Sequence, residues 1–260
     1  MSTPFDKVIE HIAAIGYHNH RLEEHSNIVS NGIFNDLIRK CAPIRNDVKK
    51  GIIRAWLNVR APGARERKID LFVGEPEKGS KKPNIKRLRI CAENKSVITA
   101  HRNRDARFDD LNETMKVVHG VKQEAVIVAT ILVGVAPDVL NIPDQVKKHY
   151  KNKQVEFEKS VLPRLSSGDQ SLWDEFAWAV SANKESDFAR TVAKFEMLRT
   201  RPPGHTHVQG YDYVLIVPVH IDNVNPPRIA FRNSLGINVN ADYKQMINTI
   251  CKAYTARWHL

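Results

Sequence analysis

The chain has 260 residues and no apolar run approaching the roughly 20 that cross a bilayer, so no membrane span is expected. Its first residues, MSTPFDKVIEHIAAIGYH, are amphipathic and have neither a basic start nor a cleavage site, so no signal peptide is expected. Cysteine is scarce. Cys41, Cys91 and Cys251 are far apart and form no CxxC pair, which argues against a disulfide framework and predicts buried free thiols in a reducing cytoplasm. No G-x-x-x-x-G-K-[ST] phosphate loop occurs, so nothing marks a translocase motor. A methyltransferase-like Gly-rich motif, internal repeats and long low-complexity segments are likewise missing.

Positive charge is in excess. Lys and Arg number 40 against 29 Asp and Glu, a formal charge of +11. The cations are spread along the chain, which points to a folded basic surface and not to a disordered arm. Such a surface fits a polyanionic partner, of which nucleic acid is the commonest, although a basic soluble protein without one has the same composition. The length and the 42% hydrophobic content predict one sizeable core in a single domain, 1–260, with an elaborated part.

Residues 4–57 read as mainly helical. Asn27 or Ser30 is expected to cap a helix running to Lys40, with Ile33, Phe34, Leu37 and Ile38 on its apolar face and Pro43 ending it. A turn is expected at Pro62–Gly63. Residues 66–74 read as a strand with Ile69, Leu71 and Val73 on one face and Asp70 on the other. A turn-rich stretch follows, then a second strand at 86–98 and a helix at 105–118 with Phe108, Leu111, Met115 and Val118 at helical spacing. Asn103 or Asp105 is placed to cap that helix. The run AVIVATILVGV, 125–135, suits a strand buried on both faces. Residues 144–198 read as a polar helical insertion with Trp173, Phe176 and Trp178 as its core. Residues 199–210 read as a loop, 211–221 as a strand bent or at an edge because of Pro218, and 241–257 as a closing amphipathic helix. The order predicts an α/β fold, a mixed sheet flanked by helices, with a core at 27–135 plus 211–257 and a helical elaboration at 144–198.

The constellation that carries chemistry is Asp70 followed by Glu93-Asn94-Lys95. Alternation puts Glu93 and Lys95 on one face of their strand, with Arg87, Arg89 and Cys91, while Leu88, Ile90 and Ala92 point the other way. If the two strands pair, both carboxylates and the ammonium converge. Two carboxylates with no Cys or His cluster nearby suit Mg²⁺ and not zinc. The ion neutralises an anionic diester and activates water, and a neighbouring lysine stabilises charge growing on the phosphate.

Asp70, a gap of 22 residues and Glu93-Asn94-Lys95 resemble the D…(D/E)-x-K signature of the PD-(D/E)XK nuclease superfamily, over roughly residues 27–135. Ile69 stands where the family often has proline. The resemblance implies a restriction-endonuclease-like fold and a Mg²⁺-dependent nuclease with Asp70, Glu93 and Lys95 as catalytic residues. Of these, Asp70 and Glu93 would be the metal ligands. Size and organisation favour a type II restriction endonuclease cutting double-stranded DNA at a short sequence, a homodimer in a prokaryotic cytoplasm. A repair or recombination nuclease of the same superfamily, or a non-catalytic DNA-binding protein, are the alternatives. His101, Arg102 and Arg104 follow the catalytic strand and are candidate DNA contacts, or a solvated basic loop. Relatives carry a further acid on an upstream helix, for which Asp36 and Glu24 compete. His18, His20 and His25 suggest metal binding or, with no carboxylate or Cys spacing to support a zinc site, the favoured reading of solvated histidines near a helix start; His205 and His207 read as an exposed loop in preference to a DNA contact.

Overall fold

A computed structural model describes residues 2–17, 22–61, 67–99, 101–141, 144–167, 179–202, 204–231 and 235–259. His18, His20, the Pro62–Gly63 turn, Trp173, Phe176 and Trp178 lie outside the described residues.

The chain opens with α1 (Pro4–Ile15), α2 (Glu23–Lys40) and α3 (Ala42–Lys49). Thr3 and Asp6 form a capping box at the start of α1, and Pro43 sits in the first turn of α3, where its missing N–H costs nothing. The expected caps of α2 are not caps. The helix starts at Glu23, which leaves Asn27 and Ser30 inside it, where Asn27 accepts a bond from Asn58 and Ser30 one from Asn94.

Strands β1 (Arg54–Ala61), β2 (Arg67–Pro76) and β3 (Pro83–Val97) form an antiparallel meander. The helical reading of 4–57 thus fails at its end, where Arg54–Leu57 belong to β1, the first arm of an antiparallel hairpin with β2. Helix α4 (Arg104–Val121) crosses to β4 (Val126–Gly134), which lies parallel to β3 and is buried along its whole length. A two-stranded antiparallel sheet of β5 (Asp138–Asn141) and β6 (Ala179–Ala182) flanks the short helices α5 (Asp144–His149), α6 (Gln154–Ser160) and α7 (Leu162–Ser166). Helix α8 (Asp187–Glu196) follows, then β7 (Tyr213–His220), parallel to β4, the two-residue β8 (Arg228–Ile229) and α9 (Val239–Trp258). The main sheet has the order β1-β2-β3-β4-β7-β8, a mixed six-stranded sheet flanked by helices. Among the described residues, no helix is long and apolar enough to cross a membrane.

One core layer packs Phe5, Ile33, Ile44 and Ile250 from α1, α2, α3 and α9 against Leu71, Ile90 and Val128. The other packs Leu111 of α4 and Phe195 of α8 against Phe72, Cys91 and Ile127. Helix α8 therefore covers the main sheet, so the expected elaboration at 144–198 does not extend through its last helix.

The cysteine expectation is corrected. Cys41, between α2 and α3, is bonded to Cys251 of α9, 210 residues away, and only Cys91 is a free, buried thiol. A pairing made by helix packing leaves no spacing signal in the chain.

Candidate active site

Both strands that carry the candidate residues break their alternation. In β3 the register steps from Val73↔Ile90 to Gly74↔Leu88, so Arg89 is an extra residue in a β-bulge. Gly74 is needed there, because a Cβ would lie 2.6 Å from the Arg87 carbonyl oxygen. The bulge turns Arg89 away from the face it was expected to share with Glu93. Its guanidinium instead bonds Asp47 at 2.9 Å, Glu75 at 2.8 Å and the Tyr254 hydroxyl at 2.8 Å. Leu88 falls in the α4-side core with Cys91, not with Ile90 and Ala92 as alternation predicted. In β2, Ile69 joins the α4-side core while Leu71 and Val73 join the other, so these three do not share one face. The break lies at Asp70, beside Asn58 of β1, which adopts φ +55° and ties its strand to α2 through Asn27 at 3.0 Å.

Past the bulge the trio converges. The Lys95 ammonium donates to Glu93 Oε2 at 2.6 Å and lies 3.8 Å from Asp70 Oδ2. The backbone N–H of Asn94 donates to the same Asp70 oxygen at 2.7 Å. The Asn94 side chain points to the opposite face. It donates to Ser26 and Ser30 of α2 and accepts from Thr130 of β4 at 2.7 Å, which locks the strand's end between helix and sheet.

Glu93 is the buried member, with 1% of its side chain exposed against 15% for Asp70 and 17% for Lys95. Burial disfavours its charge and holds its carboxyl up to about 7; Lys95 pulls it down and Asp70 pushes it up. Burial alone would lower the Lys95 pKa, but the charges of Glu93, Asp70 and Asp110 raise it, so the ammonium persists. Glu93 Oε1 is buried with no hydrogen-bond partner. A buried carboxylate oxygen without a donor is costly unless something outside the chain supplies the positive end.

The donor set fits Mg²⁺. Two carboxylates suffice for an ion that keeps much of its water shell. Among the described residues, no group of three or more His, Cys, Asp or Glu is gathered as a metal site. Asp70 and Glu93 are the side chains that could hold the ion.

Helix α4 contributes two charges that strand alternation did not reveal, Arg107 and Asp110, paired at 3.0 Å. Beside Lys95 a cavity of about 280 Å³ opens between the first turns of α2 and α4.

The remaining candidates fall outside this arrangement. His101 is buried with φ +46°, its Nδ1 2.6 Å from Thr191 Oγ1 and its Nε2 3.2 Å from the Gly134 carbonyl oxygen. It fastens the β3–α4 turn to α8 and β4. Arg102 is exposed, and Arg104 pairs with Asp105 at 3.3 Å. Asp36 accepts from Tyr243 at 2.8 Å and pairs with Arg39, so it serves packing. Glu24 is exposed; the acid of α2 that lines the cavity is Glu23. His25 is not solvated but buried, edge-on to His11 at 5.4 Å. His205 and His207 are exposed in their loop, as expected.

Ser26, Ser30 and Thr130 were not legible as part of the site. The two serines are four apart on one face of α2, a pattern that acquires meaning only once Asn94 is seen between them. No protein-family model, no curated protein and no solved structure matches the chain.

Proposed function

We propose that the chain is a Mg²⁺-dependent endonuclease of the PD-(D/E)XK type, acting on double-stranded DNA in the manner of a type II restriction enzyme. One observation carries the reading. Two carboxylates on adjacent antiparallel strands share one lysine ammonium, and the buried one keeps an oxygen without a hydrogen-bond partner. The meander that continues through a helix to a parallel strand agrees with a restriction-endonuclease-like core. The charge of +11 suits a polyanionic substrate.

Asp70 and Glu93 supply hard oxygen ligands. Mg²⁺, when bound, neutralises the diester and lowers the pKa of a bound water. Glu93 must give up its proton to act as a ligand, and Lys95 favours that loss by lowering its pKa. The ammonium, mostly buried, is then placed to stabilise charge that grows on the scissile phosphate. The restriction reading also implies a homodimer on a two-fold site, since a two-fold protein matches a two-fold sequence. It places the chain in a prokaryotic cytoplasm, where the Cys41–Cys251 pair would be held reduced.

The test is incubation of supercoiled plasmid with the chain in Mg²⁺ and in EDTA. Discrete fragments in Mg²⁺ and none in EDTA are expected. Nicking confined to branched or damaged DNA would favour a repair nuclease. Binding with no cleavage in Mg²⁺ would overturn the enzymatic reading.

A further inference from the structure

The cavity beside Lys95 has a mixed lining. Val29 of α2 and Leu132 of β4 belong to the apolar core and form one wall. Glu23, Ser26 and Asn103 add polar groups, and Arg107 with Lys95 adds charge. Its volume, about 280 Å³, lies near the lower end of small-ligand pockets, roughly 300 Å³ upward.

A phosphate alone does not match this lining, because aliphatic walls offer an anion nothing. A metal ion does not match it either, since Glu23 is the single carboxylate among the described lining residues. A planar heterocycle does match. Its faces are buried against aliphatic side chains, while its edge meets acceptors and donors. The Glu23 carboxylate accepts from ring N–H or amino groups, and the Ser26 hydroxyl and the Asn103 amide serve ring nitrogens and carbonyls. Lys95 sits at the junction of cavity and carboxylate pair, so a nucleotide with its base in the cavity has its phosphate beside the ammonium.

We propose that this cavity receives one unpaired nucleobase of the strand being cut. This rests on the nuclease reading and sharpens it: the substrate is DNA with one nucleotide out of the stack at the cleavage point, either already unpaired or extruded from a duplex. Extrusion costs a few kcal/mol of stacking and pairing, least at a mismatched or single-stranded base.

The full chain is titrated with the four deoxynucleoside 5′-monophosphates and with 2-deoxyribose 5-phosphate, which has the same sugar and phosphate but no base. At least one nucleotide is expected to bind about tenfold more tightly than the sugar phosphate. Asn103 and Ser96 both line the cavity, so Asn103→Phe and Ser96→Leu push bulk into it and are expected to reduce that ratio to within about threefold. Methyl NMR locates the base without any substitution. The Val29 and Leu132 methyl resonances should move with the nucleotide and stay in place with the sugar phosphate. Equal affinities, or unmoved methyls, overturn the proposal. So does an undiminished ratio in plug variants that melt like the wild type. The plasmid assay reads the nuclease proposal separately. Cleavage without base-dependent binding removes only the base pocket, and base-dependent binding without cleavage removes the nuclease and the scissile strand with it, leaving a nucleotide pocket alone.

Discussion

The backbone N–H of Asn94 donates to Oδ2 of Asp70 at 2.7 Å, across the junction of two antiparallel strands. One strand thereby aims the carboxylate of the other, while Glu93 and Lys95, on either side of Asn94, face it. Because the donor is main chain, side-chain substitution at position 94 leaves it in place. The useful variant is Asp70→Asn, which keeps an acceptor for that N–H but removes the charge. Asp70→Asn and Glu93→Gln are expected to retain wild-type secondary structure and DNA binding and to lose cleavage down to background. A near wild-type rate in either would take that residue out of the ligand set.

Lys95 is expected to matter to chemistry more than to folding. Lys95→Ala should slow single-turnover cleavage by about 10²–10³, the usual effect of deleting a group that stabilises transition-state charge. It should also move the pH–rate profile upward, because the lysine's charge lowers the Glu93 pKa. A rate within threefold of wild type, a difference under about 1 kcal/mol, would exclude the lysine from the site.

The raised Glu93 carboxyl predicts a stability change with pH in the absence of divalent metal. Its folded value is about 7 against an ordinary 4.5. Between these values the folded state holds more protons than the unfolded one. The contribution is therefore fully present below 4.5 and lost as pH rises through 7. Wild type should lose roughly 1 kcal/mol per pH unit in that window relative to Glu93→Gln. Denaturant titrations of both proteins in chelator provide the measurement, and parallel curves would refute the shift.

His101 and Asp36 are expected to behave as packing residues. His101→Ala leaves the Thr191 hydroxyl buried without its partner, and Asp36→Ala does the same to the Tyr243 hydroxyl. Each should cost about 1–3 kcal/mol of stability. Below the melting transition, DNA affinity and cleavage rate should match wild type. A large loss of affinity in folded His101→Ala would restore that residue to the DNA surface.

Periodicity made much of the architecture readable. β2, β3, β4, α4 and α9 lie within a few residues of their expected positions, since each buries a clear face or is buried throughout. The Asp70–Glu93–Lys95 convergence was readable too, because it needs only pairing of neighbouring strands. What was not readable depends on partners far along the chain. Arg89 goes where Asp47 and Tyr254 draw it, from 42 and 165 residues away. His101 is held by Thr191 across 90 residues, and Cys41 by Cys251 across 210. Strict alternation also assumes an unbulged strand, and the register steps at Gly74 violate that assumption.

The hairpin between Asp70 and Glu93 separates two kinds of length. Its tip, with the Glu77 N–H bonded to the Lys82 carbonyl oxygen and Gly79 at φ +73°, lies beyond the paired register that ends at Pro76↔Pro83. Residues added or removed there lengthen a turn and leave Leu71↔Ala92 untouched. One residue inserted between Arg89 and Glu93 would instead turn the carboxylate to the other side of the sheet. For anyone scanning genomes for such sites, the count of residues between the two acids is thus a poor filter. The parity of the paired segment beside each acid is the quantity to encode, with one bulge allowed.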